Sequence, residues 1–259
     1  HYEKGSLIKA LNQKKKLKIG FNLISPVGIN PSNDAIEAIK FNANLCESLG
    51  HDMEEMSFNY DGLLASRAFT IIITSHVSQM FNELKDIVGR RYRKKEVETT
   101  TRLFDYLGKS YRASDYTWAR YTMQSIARKV MQDTDKYDVV LTPIISQQPP
   151  QLGEIRPDSR SRFISEIIMS LRLGFIFRIK PIRDAILNTL APQSLWYAPD
   201  AMLQNITGQP AISIPTYWTD NNIPLGVQYT SRYADEATLI ALASELEEAA
   251  PWINRIPNL

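Results

Sequence analysis

Asn205-Ile206-Thr207-Gly208-Gln209-Pro210-Ala211-Ile212-Ser213-Ile214-Pro215, continued by Leu225-Gly226-Val227-Gln228-Tyr229, decides how this chain is read. A polar turn holding Gly208 and Pro210 leads into a short alternating strand. Glycine frees the backbone at Gly208, and Pro210 fixes φ and removes a donor at the strand's entry. Pro215 closes the strand, Thr219–Asn222 makes a turn, and a second short strand returns. The predicted element is a hairpin-like strand pair at the end of a sheet.

Upstream, Tyr137-Asp138-Val139-Val140-Leu141-Thr142-Pro143 is a short apolar strand stopped by proline. Its four consecutive core-type residues predict an interior strand covered on both faces. Ligands tend to bind at the carboxyl ends of such strands, which makes Thr142 to Ser146 a candidate pocket wall, with an ordinary strand exit as the alternative. Leu17–Leu23 alternates and reads as another strand, followed by a loop at Ser25-Pro26 and Asn30-Pro31. Ile36, Ile39, Ala43 and Cys46 then share one helical face. Asn33 or Asp34 caps its start, and Gly50 suits the left-handed position after its end. The Gly50–Glu54 return completes an α/β unit. Cys46 is expected in the core, and His51 at the surface beside the cap.

Residues 60–136 read as mainly helical, with Ile71-Ile72-Ile73 as a buried run and His76 as a core or rim residue. Arg90–Lys95 and Lys14-Lys15-Lys16 read as solvated helical faces or ends rather than nucleic-acid contacts. Between 151 and 200 the pattern is irregular. An apolar stretch from Ile164 to Ile179, studded with arginine, reads as a lid or channel wall, with a membrane-surface helix as the alternative. Asp235-Glu236 open a last helix that buries Leu239, Leu242, Ala243 and Leu246, leaving Glu245 outside.

The totals narrow the function. With 259 residues, a formal charge of +2 and 22% charged residues, the chain lacks the basic excess of a nucleic-acid binder. No apolar run approaches the roughly 18 residues of a membrane span, and no secretory leader is expected at its start. One cysteine fits a reducing compartment, the cytoplasm. No His, Cys or paired carboxylate stands at a metal-ligand spacing, so neither metal nor cofactor is expected. Glycine, at 11 residues with no Gly-Gly pair, is too sparse for a loop that presents a serine nucleophile or cradles an oxyanion. Ser125 and Lys129 sit four apart, but no glycine turn presents that serine. His1 rather than methionine opens the chain, which therefore reads as a piece of something longer.

Several blocks stand in an order that resembles the amidase signature family, the serine amide hydrolases with a Ser–Ser–Lys triad. They are Leu17-Lys18-Ile19-Gly20 with the helix to Leu49-Gly50-His51, Tyr137–Pro143, Thr207–Pro215, Ile223–Tyr229, Asp235–Leu239 and Pro251-Trp252. Trp218 and the Trp252-to-Pro257 tail are most similar to the branch acting on aminohexanoate-type linear and cyclic amides. The resemblance implies an α/β fold with a mixed β-sheet flanked by helices. Residues 1–259 would be the C-terminal portion of a single amidase domain, with 151–200 as a variable helical insertion or lid. The family's Gly/Ser-rich segment has no match here, so nucleophile, bridging serine and lysine base are expected upstream, and no catalytic residue is assigned in this chain.

By position, the pocket walls would come from the Thr142–Ser146 loop, through Thr142, Ile144 and Ile145. The Gln204–Gln209 turn would add Gln204, Asn205 and Thr207. The alternative for the turn is that its polar side chains simply satisfy buried backbone. The implied partners are a small-molecule amide, the N-terminal half of the same enzyme and a second copy in a homodimer, because a cut sheet exposes an edge. Nucleic acid and membrane are not expected. Two other readings stay open: an amidotransferase subunit of the same family, and a non-catalytic binding or assembly module.

Overall fold

The computed structural model describes residues 6–11, 14–151, 154 and 173–255. In chain order the elements are α1 (Ser6–Ala10), β1 (Lys18–Phe21), α2 (Asn33–Ser48), β2 (Asp52–Glu55), α3 (Gly62–Val88), α4 (Thr99–Gly108), α5 (Ala113–Thr134) and β3 (Val139–Pro143). They continue with α6 (Lys180–Ser194), α7 (Ala201–Thr207), β4 (Ala211–Trp218), β5 (Pro224–Ser231) and α8 (Glu236–Ala249). The chain divides into two compact units. One comprises His1–Gly62, Gln124–Pro149 and Trp196–Leu259; the other comprises Leu63–Met123 and Pro150–Leu195.

The first unit is built on a five-stranded sheet of order β2-β1-β3-β5-β4. β1 runs parallel to β2 and β3, while β5 is antiparallel to both β3 and β4, which makes the sheet mixed. β3 lies in its middle and is buried at every position, as its unbroken apolar run requires. Alternation divides its side chains between two faces. Val139 and Leu141 join Val227, Tyr229 and Ile214 in the main core, beneath Ile39 and Cys46 of α2 and Leu239, Leu242 and Leu246 of α8.

Ser32, rather than Asn33 or Asp34, caps α2 by accepting the Ala35 N–H. Gly50 takes a left-handed φ of 94° after its end, as its lack of a Cβ allows. α8 starts on Asp235, which accepts the Thr238 N–H. A buried polar network ties α2 to the hairpin. Asn42 Oδ1 accepts from the Tyr229 hydroxyl at 2.9 Å and from Thr216 Oγ1 at 2.6 Å, while Asn42 Nδ2 donates to the Ala38 carbonyl. Cys46 is fully buried beside Tyr229, and burial pushes its thiol up to about 11.

Three local expectations change. Pro215 does not end its strand: β4 continues to Trp218 through a register shift between Ile214 and Tyr217. β4 is an edge strand, where a missing N–H and a bulge are tolerated. His51 is buried rather than exposed. Its Nδ1 accepts the Leu17 N–H at 3.2 Å, and Nε2 lies 3.4 Å from Glu245. Glu245 is thereby drawn in from the solvent side expected for it. Burial holds the His51 pKa below the usual histidine value, with Glu245 opposing that shift.

The second unit is helical. Ile71 of α3 is buried but Ile73 is exposed, because three consecutive helical residues cannot share one face. Gly108 of α4 lies so close to α3 that a Cβ there would fall 2.2 Å from the Thr74 carbonyl oxygen. Buried Arg183 of α6 donates to the Ser110 carbonyl and to Asp115, 3.2 Å away, with its guanidinium over the Tyr111 ring. His76 lies at the exposed rim, 3.3 Å from the Tyr116 hydroxyl. Arg90 forms a forked pair with Glu96 in an exposed segment, as a solvated face should. The apolar stretch Ile164–Leu171 lies outside the described residues. No helix among the described residues is long and apolar enough to cross a membrane.

Candidate functional site

On the first unit's sheet, the face opposite the main core carries neutral polar groups. The antiparallel register sets Gln228 of β5 between Thr142 of β3 and Ser213 of β4. Gln228 Nε2 donates to Thr142 Oγ1 at 3.3 Å, and both residues are buried. Two positions along β5, Thr230 Oγ1 accepts from Gln204 Nε2 at 2.9 Å. Two positions the other way stands Gly226. A Cβ there would fall 2.7 Å from Ser213 Oγ and 3.6 Å from Ile144 Cγ2, so glycine permits the close approach of these groups. The strip carries donors and acceptors without a formal charge. Gln204 also holds one unused group: its Oε1 is buried without a partner.

The sequence-derived positions separate on this frame. Thr142, Ile144 and Gln204 lie on or beside the strip. Ile145 packs against the main core cluster. The Gln204–Gln209 segment is not an open turn: it is the end of α7, closed by Gly208 at φ 72°, the left-handed position glycine favours. Asn205 is exposed and bonds back to the Ala201 carbonyl, while Thr207 Oγ1 accepts the Gln209 N–H. These two side chains close a helix end. Ser125 and Lys129 are exposed on α5.

A second cluster lies at the carboxyl end of β1. There the Ser25–Gly28 turn meets the segment entering α3 and the residue capping α7. Gly62 packs on the turn so closely that a Cβ would stand 1.9 Å from the Pro26 carbonyl oxygen. The β3 exit is stitched into the same region, because the Ser32 N–H donates to the Ser146 carbonyl and the Ser146 N–H to the Tyr197 carbonyl, each at 2.7 Å. Asp200 is fully buried, and neither carboxylate oxygen has a hydrogen-bond partner of good geometry; the buried Tyr60 hydroxyl lacks one as well. Burial pushes the Asp200 carboxyl up to about 6, with the nearby Ser25 hydroxyl lowering it only in part. Tyr60 is raised by its own burial and then by Asp200. Sequence reasoning passed over Ser25, Tyr60, Asp200, Gln228 and Thr230. An aspartate entering a helix reads as an ordinary cap; only the absence of its capping bond sets Asp200 apart.

The family model described as Amidase matches residues 3–176. The chain belongs to the amidase family. Across 252 residues it is 23% identical to the putative amidase AmiB2 of Mycobacterium tuberculosis, an alignment covering 96% of this chain and 47% of that protein. It is 24% identical to the 6-aminohexanoate-cyclic-dimer hydrolase of Paenarthrobacter ureafaciens, covering 94% of this chain and 46% of that one. A solved 6-aminohexanoate cyclic dimer hydrolase superposes with a TM-score of 0.75 at 21% identity, over all of this chain and 50% of the other. At that identity the likeness establishes the amidase α/β fold. The chain spans about half the length of the curated relatives it matches. The hairpin carrying Gln228 lies beyond the matched residues 3–176 but within a chain that these relatives cover almost completely. Among the described residues, no group of three or more His, Cys, Asp or Glu could hold a metal ion.

Proposed function

We propose that residues 1–259 form the C-terminal part of an amide hydrolase, which cleaves a carboxamide through an acyl-serine intermediate. In this reading the nucleophilic serine, bridging serine and lysine base come from polypeptide outside these residues, and this chain alone does not turn over amides. Family membership supports the reaction class. The observation that supports a substrate-binding share for this chain is the neutral strip of Thr142, Gln228, Thr230 and Gln204. A carboxamide is itself an uncharged donor and acceptor, and a site built to hydrogen-bond such a group discriminates strongly against analogues lacking it. Thr230 holds Gln204 Nε2, which leaves Oε1 as an acceptor for an amide N–H. Ile144 would supply an apolar margin beside Gly226. The same reading takes the protein to be cytoplasmic, supported by the free, buried thiol of Cys46.

The test compares a longer polypeptide containing residues 1–259 with residues 1–259 alone. Amine release is followed from the cyclic dimer of 6-aminohexanoate and from an aryl acylamide. The longer protein should release amine from at least one substrate and the shorter chain from neither. In the longer protein, Gln204→Leu should raise KM about tenfold with little change in kcat, the loss of roughly one uniform binding contact. Amine release by the short chain, or none by the long one, would overturn the assignment. Transfer that requires an added partner subunit would redirect it to the amidotransferase branch.

A further inference from the structure

His51 is a buried titratable group that the binding role given above does not use. We propose that its ring is an acid-sensitive clasp: neutral, it fastens the entry to β1 onto the start of β2, and protonated, it forfeits that fastening.

Direct contacts carry the clasp. Gly50, at φ 94°, turns the chain after α2, and the His51 N–H donates to the Cys46 carbonyl at 3.1 Å. The ring then meets Leu17, the residue that leads into β1. Two consecutive residues hold both backbone groups of Leu17. Its carbonyl accepts the Asp52 N–H at 2.9 Å, and its N–H donates to His51 Nδ1 at 3.2 Å. Nδ1 thus takes the part that a backbone carbonyl plays in a strand ladder. An Nδ1 that accepts must be bare, so the neutral ring carries its proton on Nε2. Nε2 faces Glu245 of α8, whose Oε2 is 3.4 Å away, and the two side chains are only 2% and 11% exposed. Just upstream, Lys14 pairs with Glu248 and Lys16 with Asp52, but every one of these side chains is more than half exposed. Such pairs contribute little, which leaves the buried bond from Leu17 as the firmer hold on this entry.

The direction of the effect follows from that bond. An imidazolium carries N–H on both nitrogens and has no acceptor left. A second proton must therefore displace the Leu17 N–H and leave it buried without a partner. Charges around the ring set how readily this happens. Burial opposes the proton most strongly, while Glu245 of α8 and Asp52 of β2 favour it, and the group is held below its ordinary value. Lys14 and Lys15 line the same recess as Leu17 and Glu245 and add positive charge on that side. On α2 the titratable group that senses Glu245 is the Cys46 thiol, which burial keeps neutral. Because the folded state takes the proton less readily than an unfolded chain, the clasp contributes fully above the ordinary histidine value of about 6.5. Its contribution is lost as pH falls from there through the lower folded value, at most about tenfold in the folding equilibrium per pH unit for one proton. On the function proposed above, this entry also joins the sheet to the polypeptide that carries the nucleophile, so acid would weaken the seating of that connection.

Ring-nitrogen NMR of the full-length protein reads the clasp directly. At about pH 7.5, His51 should show a bare Nδ1 and a protonated Nε2. Glu245→Gln removes a group that favours the second proton, so the ring should titrate lower still in that variant. His51→Asn keeps an oxygen near the Nδ1 position and cannot titrate. Urea unfolding should show the wild type losing stability relative to His51→Asn as pH falls from about 6.5 to about 5, by up to about tenfold per pH unit. Leu17 amide exchange, corrected for its intrinsic pH dependence, should lose protection over the same interval in the wild type and keep it in His51→Asn. An Nδ1–H tautomer at about pH 7.5, or the same pH dependence in both proteins, would overturn the proposal. If His51→Asn does not fold, the wild-type tautomer and Leu17 exchange decide, and protection that is unchanged from about pH 7 to about pH 5 overturns it. Failure here leaves the amide-hydrolase reading untouched, because no readout depends on turnover.

Discussion

Two buried polar clusters in the sheet-bearing unit use the same kinds of side chain and reach opposite outcomes. Around Asn42, one amide oxygen receives two hydroxyl donors and the amide nitrogen finds a helix carbonyl. Around Asp200, a fully buried carboxyl group and a largely buried phenol each lack a partner of good geometry. Polarity in the interior is thus not one quantity. A satisfied cluster ties a helix to a sheet through neutral groups, while an unsatisfied one leaves buried polar groups uncompensated, at a cost to the fold.

The comparison can be broken most forcefully at Asn42. Asn42→Ala should lower stability by about 3 kcal/mol, because it strands the Tyr229 and Thr216 hydroxyls without their shared acceptor. Urea unfolding of the full-length protein measures this, and a loss under about 1 kcal/mol would mean that the network does not hold α2 to the hairpin. Tyr229→Phe is the milder cut. It removes one donor but leaves Thr216 on Asn42, so a loss of about 1 kcal/mol is expected by the same measurement. Tyr60→Phe sharpens the contrast from the other side. Its buried hydroxyl has no hydrogen-bond partner of good geometry to lose, so the melting temperature at pH 7 should stay the same or rise, not fall. A cost matching that of Tyr229→Phe would show the two clusters to be alike.

How legible this was in the sequence depended on the range of the interaction. α2, β3 and the β4–β5 hairpin announce themselves through periodicity, a dense apolar run and turn residues, all local signals. The passage of β4 through Pro215 does not, since its tolerance depends on β4 having a neighbour on one side only. His51 was misplaced because its burial depends on Glu245 of α8, which no local pattern near Gly50 reveals. The polar strip was half visible. Thr142 and Gln204 were found as strand-exit and turn residues, but what joins them is the register of β5 against β3 and the bond from Gln204 to Thr230. Asp200 gave no signal at all, because it follows an irregular segment and imitates a cap.

The parallel pairing of β1 with β3 sets an order of events during synthesis. Lys18 and Asp138, which exchange hydrogen bonds at that seam, are 120 residues apart, and the helical unit's α3 and α4 lie between them. At roughly 5–20 residues per second a ribosome needs on the order of ten seconds to bridge that interval. Throughout it, β1 and β2 have emerged with their central neighbour still unmade, while α3 and α4 can already coil from local contacts. The newborn chain therefore carries an unpaired strand edge for seconds, a natural landing place for a chaperone.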